Sequence, residues 1–385
     1  MRTLTLAVPA LILAAPLLSG CDRDEAGPEG VAPRGRDQRL SREELERGRL
    51  DPSWKRYVQI DTTVAYGDTT PFPEGWEEIS PGRVNGASTV LPVSGDVAGP
   101  SVLRVQILLD RAFFSPGVMD GRWGKNTEKA VYWFQRREGL PATGVVDSVT
   151  FERLAGRGGD PGRLVRAHRL TAGEVAGPFV DIPEDIYDQA ELECMCYESL
   201  GEKLAETFHA TPELLEKLNP GRALNSLRAG QTISVPNVRD PAAASAARVG
   251  RLVVSDGGGY LHAEGESGEL LFHFPSTLGS QYNPSPDGRY RVVSITEEPW
   301  WHYQPELLTG EDPNDPDAKI PPGPNNAVGV VWMALSKEHY GIHGTSDPSS
   351  IGYATSSGCI RLTNWDARFL GRRIGEGVPV LFRDT

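Results

Sequence analysis

The apolar pattern of the chain changes at residues 241–247, "PAAASAA", and this change separates two kinds of structure. Before it, apolar residues recur at helical spacing, as at Val102, Val105 and Leu109. After it, short runs rich in Val, Ile, Phe, Tyr or Trp alternate with Gly, Asn, Pro and Asp, which is typical of strands joined by turns. A chain of 385 residues has room for two or three domains. We therefore predict a multidomain protein in which residues 239–249 are a linker and residues 250–385 form a mainly-β domain.

The first twenty residues are predicted to be a signal peptide. Arg2 precedes an almost wholly apolar run over residues 4–18, which is too short for a comfortable membrane span. The run ends in "LSGC", which resembles the lipoprotein signal of bacteria. The resemblance implies cleavage before Cys21 and attachment of lipid to that cysteine, and the alternative is an ordinary signal peptide with a chance cysteine. We expect an exported protein in the periplasm or cell envelope, held at a membrane by two or three acyl chains.

Charge and composition restrict the partners. The net charge of −13 argues against a nucleic-acid-binding protein, which would present a basic face. Residues 21–50 are dense in charged residues, Gly and Pro, so they are predicted to be a disordered tether. Residues 51–99 combine scattered aromatic residues with many Pro and Gly, which supports no more than a poorly defined preface to the next domain.

Residues 100–156 carry apolar residues at helical spacing, including Ala130, Val131 and Phe134, followed by Gly139, a residue type that commonly ends helices. The phrases "DGRWG", "AV" with "FQ", and "GL" with "TG" resemble the three-helix peptidoglycan-binding domain. The resemblance implies a module that binds the cell wall. The alternative is a helical spacer without a ligand.

Residues 190–238 contain two further helical patterns, one with Leu200, Leu204 and Phe208 and one that begins at Thr211, before "TISVPNV". This segment resembles a LysM domain, a βααβ fold that binds N-acetylglucosamine in glycan strands. The Gly-Asp-Thr usual near the first helix is replaced by "SLG", so a structural spacer is the alternative. Its first strand is predicted at residues 194–196.

Two cysteines, Cys194 and Cys196, lie in that predicted strand. Residues two apart in an extended strand have Cα atoms about 6.6 Å apart, whereas a disulfide favours about 5.5 Å. We expect packed thiols, with a strained disulfide as the alternative and a metal or redox site as the third. Two thiols are too few for a closed zinc site.

A histidine and a cysteine stand sixteen residues apart in "GIHGTSDPSSIGYATSSGCIRL", residues 341–362. Cysteine attacks as a thiolate, and His343 could take the proton of Cys359. Gly358 leaves room for backbone N–H groups to turn towards an oxyanion. The segment therefore favours acyl transfer through a thioester. A zinc site at His339 and His343 is disfavoured because Gly341 lies between them and no Glu follows His339.

The phrases "GIHGT", "SSGCIRL", "FPSTLGSQYNPSPDGRYRV", "PPGPNNAVGVVWMAL" and "GEGVPVLF", together with Asn364 and Asp366, resemble the L,D-transpeptidase (YkuD-like) catalytic domain over residues 251–382. The resemblance implies these roles: Cys359 as nucleophile, His343 as general base and acid, the Gly344 carbonyl as the group that orients His343, backbone N–H groups around Ser357, Gly358 and Cys359 as the oxyanion hole, and Arg361 as a residue that holds the loop or meets a substrate carboxylate. Many members have histidine where this chain has Ser357.

The expected function is therefore cross-linking of peptidoglycan stem peptides, with glycan strands as the second partner of the protein. No metal or organic cofactor is implied. Water as acceptor would give an L,D-carboxypeptidase, and a protein amine would give a wall-anchoring transferase. A catalytically silent wall-binding lipoprotein is the alternative from another class.

Overall fold

The computed structural model describes residues 78–383, apart from 87, 96, 280–283 and 309–310. The predicted signal peptide, the tether and Cys21 lie outside the described residues. Within the described ranges, no helix is both long and apolar enough to cross a membrane. The structure thus bears on the three predicted domains and on the linker.

Four helices form the first module: α1 Pro81–Asn85, α2 Pro100–Arg111, α3 Lys125–Glu138 and α4 Ser148–Gly158. Asp147 caps α4, because its side chain accepts a hydrogen bond from Thr150 N at 2.7 Å. Helix α3 ends at Gly139, which is in the left-handed conformation that favours glycine. The inward faces of α2 and α3 are buried in one apolar core.

The end of the predicted preface belongs to this module. Val93 forms a β-bridge with Val146, and Ala98 forms one with Arg122. Helix α1 also packs against α2. Where it is described, the preface is therefore part of the helical module, and its Pro and Gly residues had hidden this packing from the sequence pattern.

Two paired strands frame the second module, whose elements are β1 Val165–Arg169, α5 Ala172–Val175, α6 Ile186–Ala190, α7 Leu200–Thr207, α8 Pro212–Leu218 and β2 Thr232–Pro236, with a 3₁₀ turn at Leu224–Ser226. β1 and β2 are antiparallel, with Val165 opposite Pro236. Four helices lie between the strands in sequence, so the predicted βααβ order holds only if α5 and α6 are counted as an insertion between β1 and α7. The prediction of a first strand at residues 194–196, in a module that begins at residue 190, is wrong.

Residues 170–198 form an excursion between β1 and α7. Met195 N donates to Pro322 O at 2.9 Å, and Asn325 N donates to Met195 O at 2.9 Å. The backbone of this segment therefore bonds to the last domain rather than to a strand of its own module. Cys194 and Cys196 form a disulfide with Cα atoms 5.2 Å apart. The expectation of packed thiols is wrong, because the backbone bends here and brings the two Cα atoms closer than a strand would.

An eight-stranded sheet forms most of the last domain. With the strands numbered along the chain as given in the next sentence, their order in the sheet is β11-β10-β9-β6-β12-β3-β4-β5. The elements of the domain are β3 Val249–Ser255, β4 Tyr260–Gly265, β5 Leu270–Pro275, β6 Gly288–Glu297, β7 Trp301–Tyr303, β8 Ala318–Ile320, β9 Val331–Leu335, β10 Gly341–His343, β11 Ile360–Arg361, α9 Asn364–Gly371 and β12 Pro379–Arg383, with 3₁₀ turns at Pro305–Leu307 and Pro348–Ser350. β7 and β8 form a separate two-stranded arm. The prediction of a mainly-β last domain is confirmed.

Arg239, in the predicted linker, joins all three domains. Its guanidinium pairs with Asp110 of α2 at 3.3 Å and with Asp366 of α9. Asp110 Oδ1 also forms a hydrogen bond with Nδ1 of His209, from the second module, at 3.0 Å. Asp366 Oδ2 accepts a hydrogen bond from Oγ of Ser115, in the helical module, at 2.7 Å. All five side chains are buried.

The prediction that residues 239–249 are a linker needs correction, because this segment is a packed junction. A 3₁₀ turn at Pro241–Ala243 starts it, and Ala244 and Ala247 pack on the core of the β domain. The helical module reaches the β domain directly: buried Lys129 donates to Gly259 O at 2.8 Å. The three domains therefore pack as one body over the described residues.

Replacing Arg239 with Met is expected to lower the free energy of unfolding by about 3 kcal/mol at pH 7, because two carboxylates then lose a buried partner. Burial acts to raise the pKa of Asp110, but the charges of His209 and Arg239 lower it to about 2. This depressed pKa stabilises the fold at neutral pH, and that stabilisation is lost as the pH falls through about 2.

Urea unfolding at several pH values measures the effect of this substitution on the free energy of unfolding. The difference between variant and wild type should shrink as the pH falls towards about 2, because Asp110 then loses its charge. Arg228→Met, at an exposed position, is the matched control and should change stability by less than about 0.5 kcal/mol. A loss of unfolding free energy in Arg239→Met as small as that of the control would show that the buried ion pairs of Arg239 do not stabilise the junction.

Candidate active site

His343 ends strand β10 in the interior of the β domain. It lies opposite Trp332 of β9, and the two rings stack with centroids 5.3 Å apart. The ring is buried. Its Nδ1 lies 2.7 Å from the carbonyl oxygen of Gly344, so Nδ1 carries the proton that is donated. That tautomer leaves Nε2 as the basic nitrogen.

Cys359 directly precedes strand β11. β10 and β11 are parallel, with Ile342 opposite Ile360 and His343 opposite Arg361. This register places Cys359 beside Gly341, at the start of the strand that neighbours β10. The structure thus brings the two residues of the predicted pair to neighbouring strands at one edge of the sheet.

The resting thiol of Cys359 is neutral. Burial raises its pKa, against the opposing effects of the Gly341 backbone N–H and the charge of Arg361. The S–H group donates to the His339 carbonyl, with sulfur and oxygen 3.6 Å apart. Activation of this thiol therefore requires a base to remove the proton rather than a thiolate that is already formed.

Two glycines give the cysteine its surroundings. Gly358 has a φ of 108°, and a Cβ on it would lie 2.9 Å from the Tyr340 ring. A Cβ on Gly341 would lie 2.5 Å from the Trp332 ring. Glycine at both positions lets the turn before β11 lie close to β10, which the register of the site requires.

One of the predicted oxyanion-hole donors has a hydrogen-bond partner in the resting structure. The Gly358 N–H donates to Ser356 Oγ at 3.1 Å, and this hydroxyl donates to Cys359 O at 2.6 Å. The N–H of Gly358 is therefore engaged in the resting structure. The N–H groups of Ser357 and Cys359 remain the predicted donors. Sequence reasoning had missed the role of Ser356 because any small residue would have suited the motif there.

Arg361 lies at the base of the site. Its backbone exchanges two hydrogen bonds with Thr277, at 2.9 and 3.1 Å, which ties β11 to the segment after β5. Its charge lowers the pKa of Cys359, as noted above. Whether its guanidinium holds the loop or meets a substrate carboxylate stays a prediction.

Asn364 fixes the loop after His343. Its Oδ1 accepts from Thr345 N at 3.1 Å and from Val330 N at 3.2 Å. A Cβ on Gly344 would lie 2.1 Å from this oxygen, so only glycine fits between the amide and the histidine. The sequence showed Asn364 as part of a motif but gave no sign of this contact.

A shallow cleft lies between the helical module and the loop that joins His343 to Cys359. The residues that line it include Asp120, Arg122, Asn126, Ser349, Ile351 and Tyr353. Its lining is therefore shared between two domains and contains charged, amide, hydroxyl and aromatic groups. In the described part of the chain, no three His, Cys, Asp or Glu side chains are grouped so as to hold a metal ion.

Comparison with known proteins gives matches to two families. The family described as the L,D-transpeptidase catalytic domain, YkuD, matches residues 250–381. A family described as a peptidoglycan binding domain matches residues 98–154. Both matches fall on domains that the structure separates.

Individual relatives agree with these matches. YkuD of Bacillus licheniformis, named as an L,D-transpeptidase, is 34% identical over 179 residues, which cover 46% of this chain and 90% of that protein. YkuD of Bacillus subtilis is 29% identical over 177 residues, which cover 46% of this chain and 89% of that protein. YbiS of Escherichia coli, also named as an L,D-transpeptidase, is 39% identical over 67 residues, covering 17% of this chain and 22% of that protein.

Proposed function

The chain belongs to the YkuD family of L,D-transpeptidases, and from this we propose that it is a modular enzyme that cross-links peptidoglycan through a cysteine thioester. The observation that carries the proposal is that His343 ends β10 and Cys359 immediately precedes the neighbouring parallel strand β11, with the Nδ1 proton of His343 held by Gly344. The helical module over residues 98–154 supports peptidoglycan as the substrate.

The first half-reaction forms the acyl-enzyme. His343 Nε2 takes the thiol proton, and the sulfur of Cys359 attacks the carbonyl carbon of the third residue of a tetrapeptide stem. Backbone N–H groups of Ser357 and Cys359 stabilise the oxyanion. The tetrahedral intermediate then expels the terminal D-amino acid, whose amine receives the proton from His343, and a thioester remains.

The second half-reaction transfers the acyl group. The side-chain amine of the third residue of another stem, a diaminopimelate in our proposal, attacks the thioester carbonyl. His343 takes a proton from this amine and returns one to the departing sulfur, so the free thiol is restored. Proton transfer by a positioned histidine contributes about 10²–10⁴-fold to such steps.

The second module is proposed to be LysM-like and to bind glycan strands. The support is the antiparallel pair of β1 and β2, with the adjacent helices α7 and α8 before β2.

We further propose that the protein is exported and lipid-anchored at Cys21, in the periplasm or cell envelope. The support is the apolar run over residues 4–18 followed by "LSGC". Globomycin treatment of producing cells, with mass analysis of the N-terminus, tests this proposal. A mature protein that begins elsewhere than at a diacylated Cys21 would contradict it.

The products of the reaction test the main proposal. The protein is incubated with disaccharide-tetrapeptide, and products are separated and identified by tandem mass spectrometry, beside an enzyme-free control. A dimer linked between two third residues is the expected result. Tripeptide alone would assign carboxypeptidase activity, and a product only after addition of a protein amine would assign a wall-anchoring transferase. No enzyme-dependent product in any arm would favour the silent wall-binding protein.

A further inference from the structure

We propose that Glu206, on helix α7 of the second module, is a positioning residue for the catalytic histidine. Its carboxylate fixes the amide of Asn364, and this amide fixes the backbone that holds the His343 ring. The inference rests on the proposed function only in that His343 is the base. The second module would then support the catalytic site as well as bind the cell wall.

The carboxylate of Glu206 meets two donors. Tyr197 Oη donates to its Oε1 at 2.8 Å, and Asn364 Nδ2 donates to its Oε2 at 2.9 Å. An ionised carboxylate only accepts hydrogen bonds, so it dictates which end of the Asn364 amide faces it. Nδ2 also donates to Pro324 O at 3.1 Å, which agrees with that orientation.

The other end of the amide faces the catalytic loop. Asn364 Oδ1 receives the backbone N–H of Thr345 at 3.1 Å. Gly344 lies against the same oxygen, and its carbonyl accepts the Nδ1 proton of His343 at 2.7 Å. Oδ1 also accepts the backbone N–H of Val330, so both donor and both acceptor positions of this fully buried amide are used. A rotation or shift of the amide would move the Gly344–Thr345 backbone and, with it, the histidine ring.

The ionisation of Glu206 decides how firmly the amide is held. Burial raises the pKa of Glu206 to about 7, although hydrogen bonds from Asn364 and Tyr197 and the charge of Arg368 oppose the rise. The charge of Glu202, on the same helix, adds to it. The protonated acid would turn an O–H group towards one of two donors, so the positioning should weaken as the pH falls below about 7.

Glu206→Gln separates positioning from stability. The pKa of a carboxyl rises when its charged form costs free energy in the folded state, so stability falls as the pH rises from the unfolded pKa to about 7. Glutamine carries no charge, so the variant should be at least as stable as the wild type at pH 8. Its NH₂ group, however, would face either the Tyr197 hydroxyl or the Asn364 amide nitrogen, and both of these groups donate hydrogen bonds and need an acceptor.

The experiment measures iodoacetamide alkylation of Cys359 in the full chain between pH 6 and 9, with the site of labelling identified by peptide mass mapping. We expect Glu206→Gln to react about tenfold more slowly at pH 8. We also expect the wild type to show a change in rate near pH 7 that the variant lacks. Glu216→Gln, at an exposed position of α8, is the matched control and should behave as the wild type.

Two further variants test the path of the effect. Tyr197→Phe removes one donor to Glu206, leaves the charge in place and should slow alkylation less than Glu206→Gln does. In a His343→Ala background, Glu206→Gln should have almost no further effect, because Glu206 acts through that histidine.

An alkylation rate and pH profile of Glu206→Gln equal to those of the wild type would overturn the inference. So would an equal loss in the presence and absence of His343. Alkylation needs neither stem peptide nor acceptor, so this result is independent of whether the product is a cross-link. A missing dimer with a clear Glu206 effect would remove the proposed reaction and leave the positioning role.

Discussion

Replacing Cys359 with Ala is expected to abolish acyl-enzyme formation and to reduce product formation by a factor of about 10⁴ or more. Cys359 is the single free cysteine among the described residues, because Cys194 and Cys196 are joined in a disulfide. Without its sulfur, the turn before β11 has no thiol that can form the thioester. Intact mass spectrometry after an acid quench should show an adduct on the wild type that hydroxylamine removes, and none on the variant.

The fold should not suffer from this change. The thiol is partly buried and makes one weak hydrogen bond to the His339 carbonyl, so its loss should lower the free energy of unfolding by about 1 kcal/mol or less. Cys359→Ser is the second control, since serine keeps a hydroxyl but should not form a thioester. Persistence of the adduct in Cys359→Ala would show that another residue is the nucleophile.

The sequence alone suggested the proposed catalytic pair because both residues lie in one local motif. Small residues around Cys359 and the glycines that flank His343 are needed wherever two strands and a turn pack this closely. The parallel pairing of β10 with β11 then follows from the fold of the domain. A protonated thiol was expected, but the further rise of its pKa was not, since that rise results from burial, which residue type alone does not reveal.

Long-range pairings explain the errors. Strand β1 is separated from α7 by the excursion over residues 170–198, so the apolar pattern beside the helices suggested a nearer strand. The same excursion bends at Met195 to bond with Pro322, and that bend permits the disulfide. Neither contact leaves a periodic pattern in the sequence.

The linker error has the same cause. "PAAASAA" has the composition of a flexible connection, yet Arg239 before it is buried between carboxylates of two other domains. Charged residues are rarely buried unless they are paired, and pairing partners more than a hundred residues away cannot be recognised from one sequence. Because the domains pack against one another, binding of the helical module to peptidoglycan would hold Cys359 and His343 at a fixed distance from the bound glycan. Modules on a flexible linker would not fix that distance.

The second large effect is expected for His343→Ala, which should slow acylation of Cys359 about 10³-fold at pH 7. The reason is the environment of the thiol: burial raises its pKa above the ordinary value, so almost no thiolate exists at neutral pH without a base. In the variant, hydroxide must remove the proton. The rate should then rise about tenfold per pH unit up to the pKa of the thiol, whereas the wild type should already react well near pH 7.

Stopped-flow measurement of acyl-enzyme formation between pH 6 and 9 distinguishes the two profiles. His302→Ala is the matched control, because this exposed histidine lies on the β7–β8 arm and should leave both rate and profile unchanged. A variant rate within a few fold of the wild type, with the same pH profile, would mean that His343 is not the base. The raised pKa of Cys359 would then require another proton acceptor at the edge of the sheet, and the His339 carbonyl cannot serve, since it accepts a hydrogen bond but is far too weak a base to hold the proton.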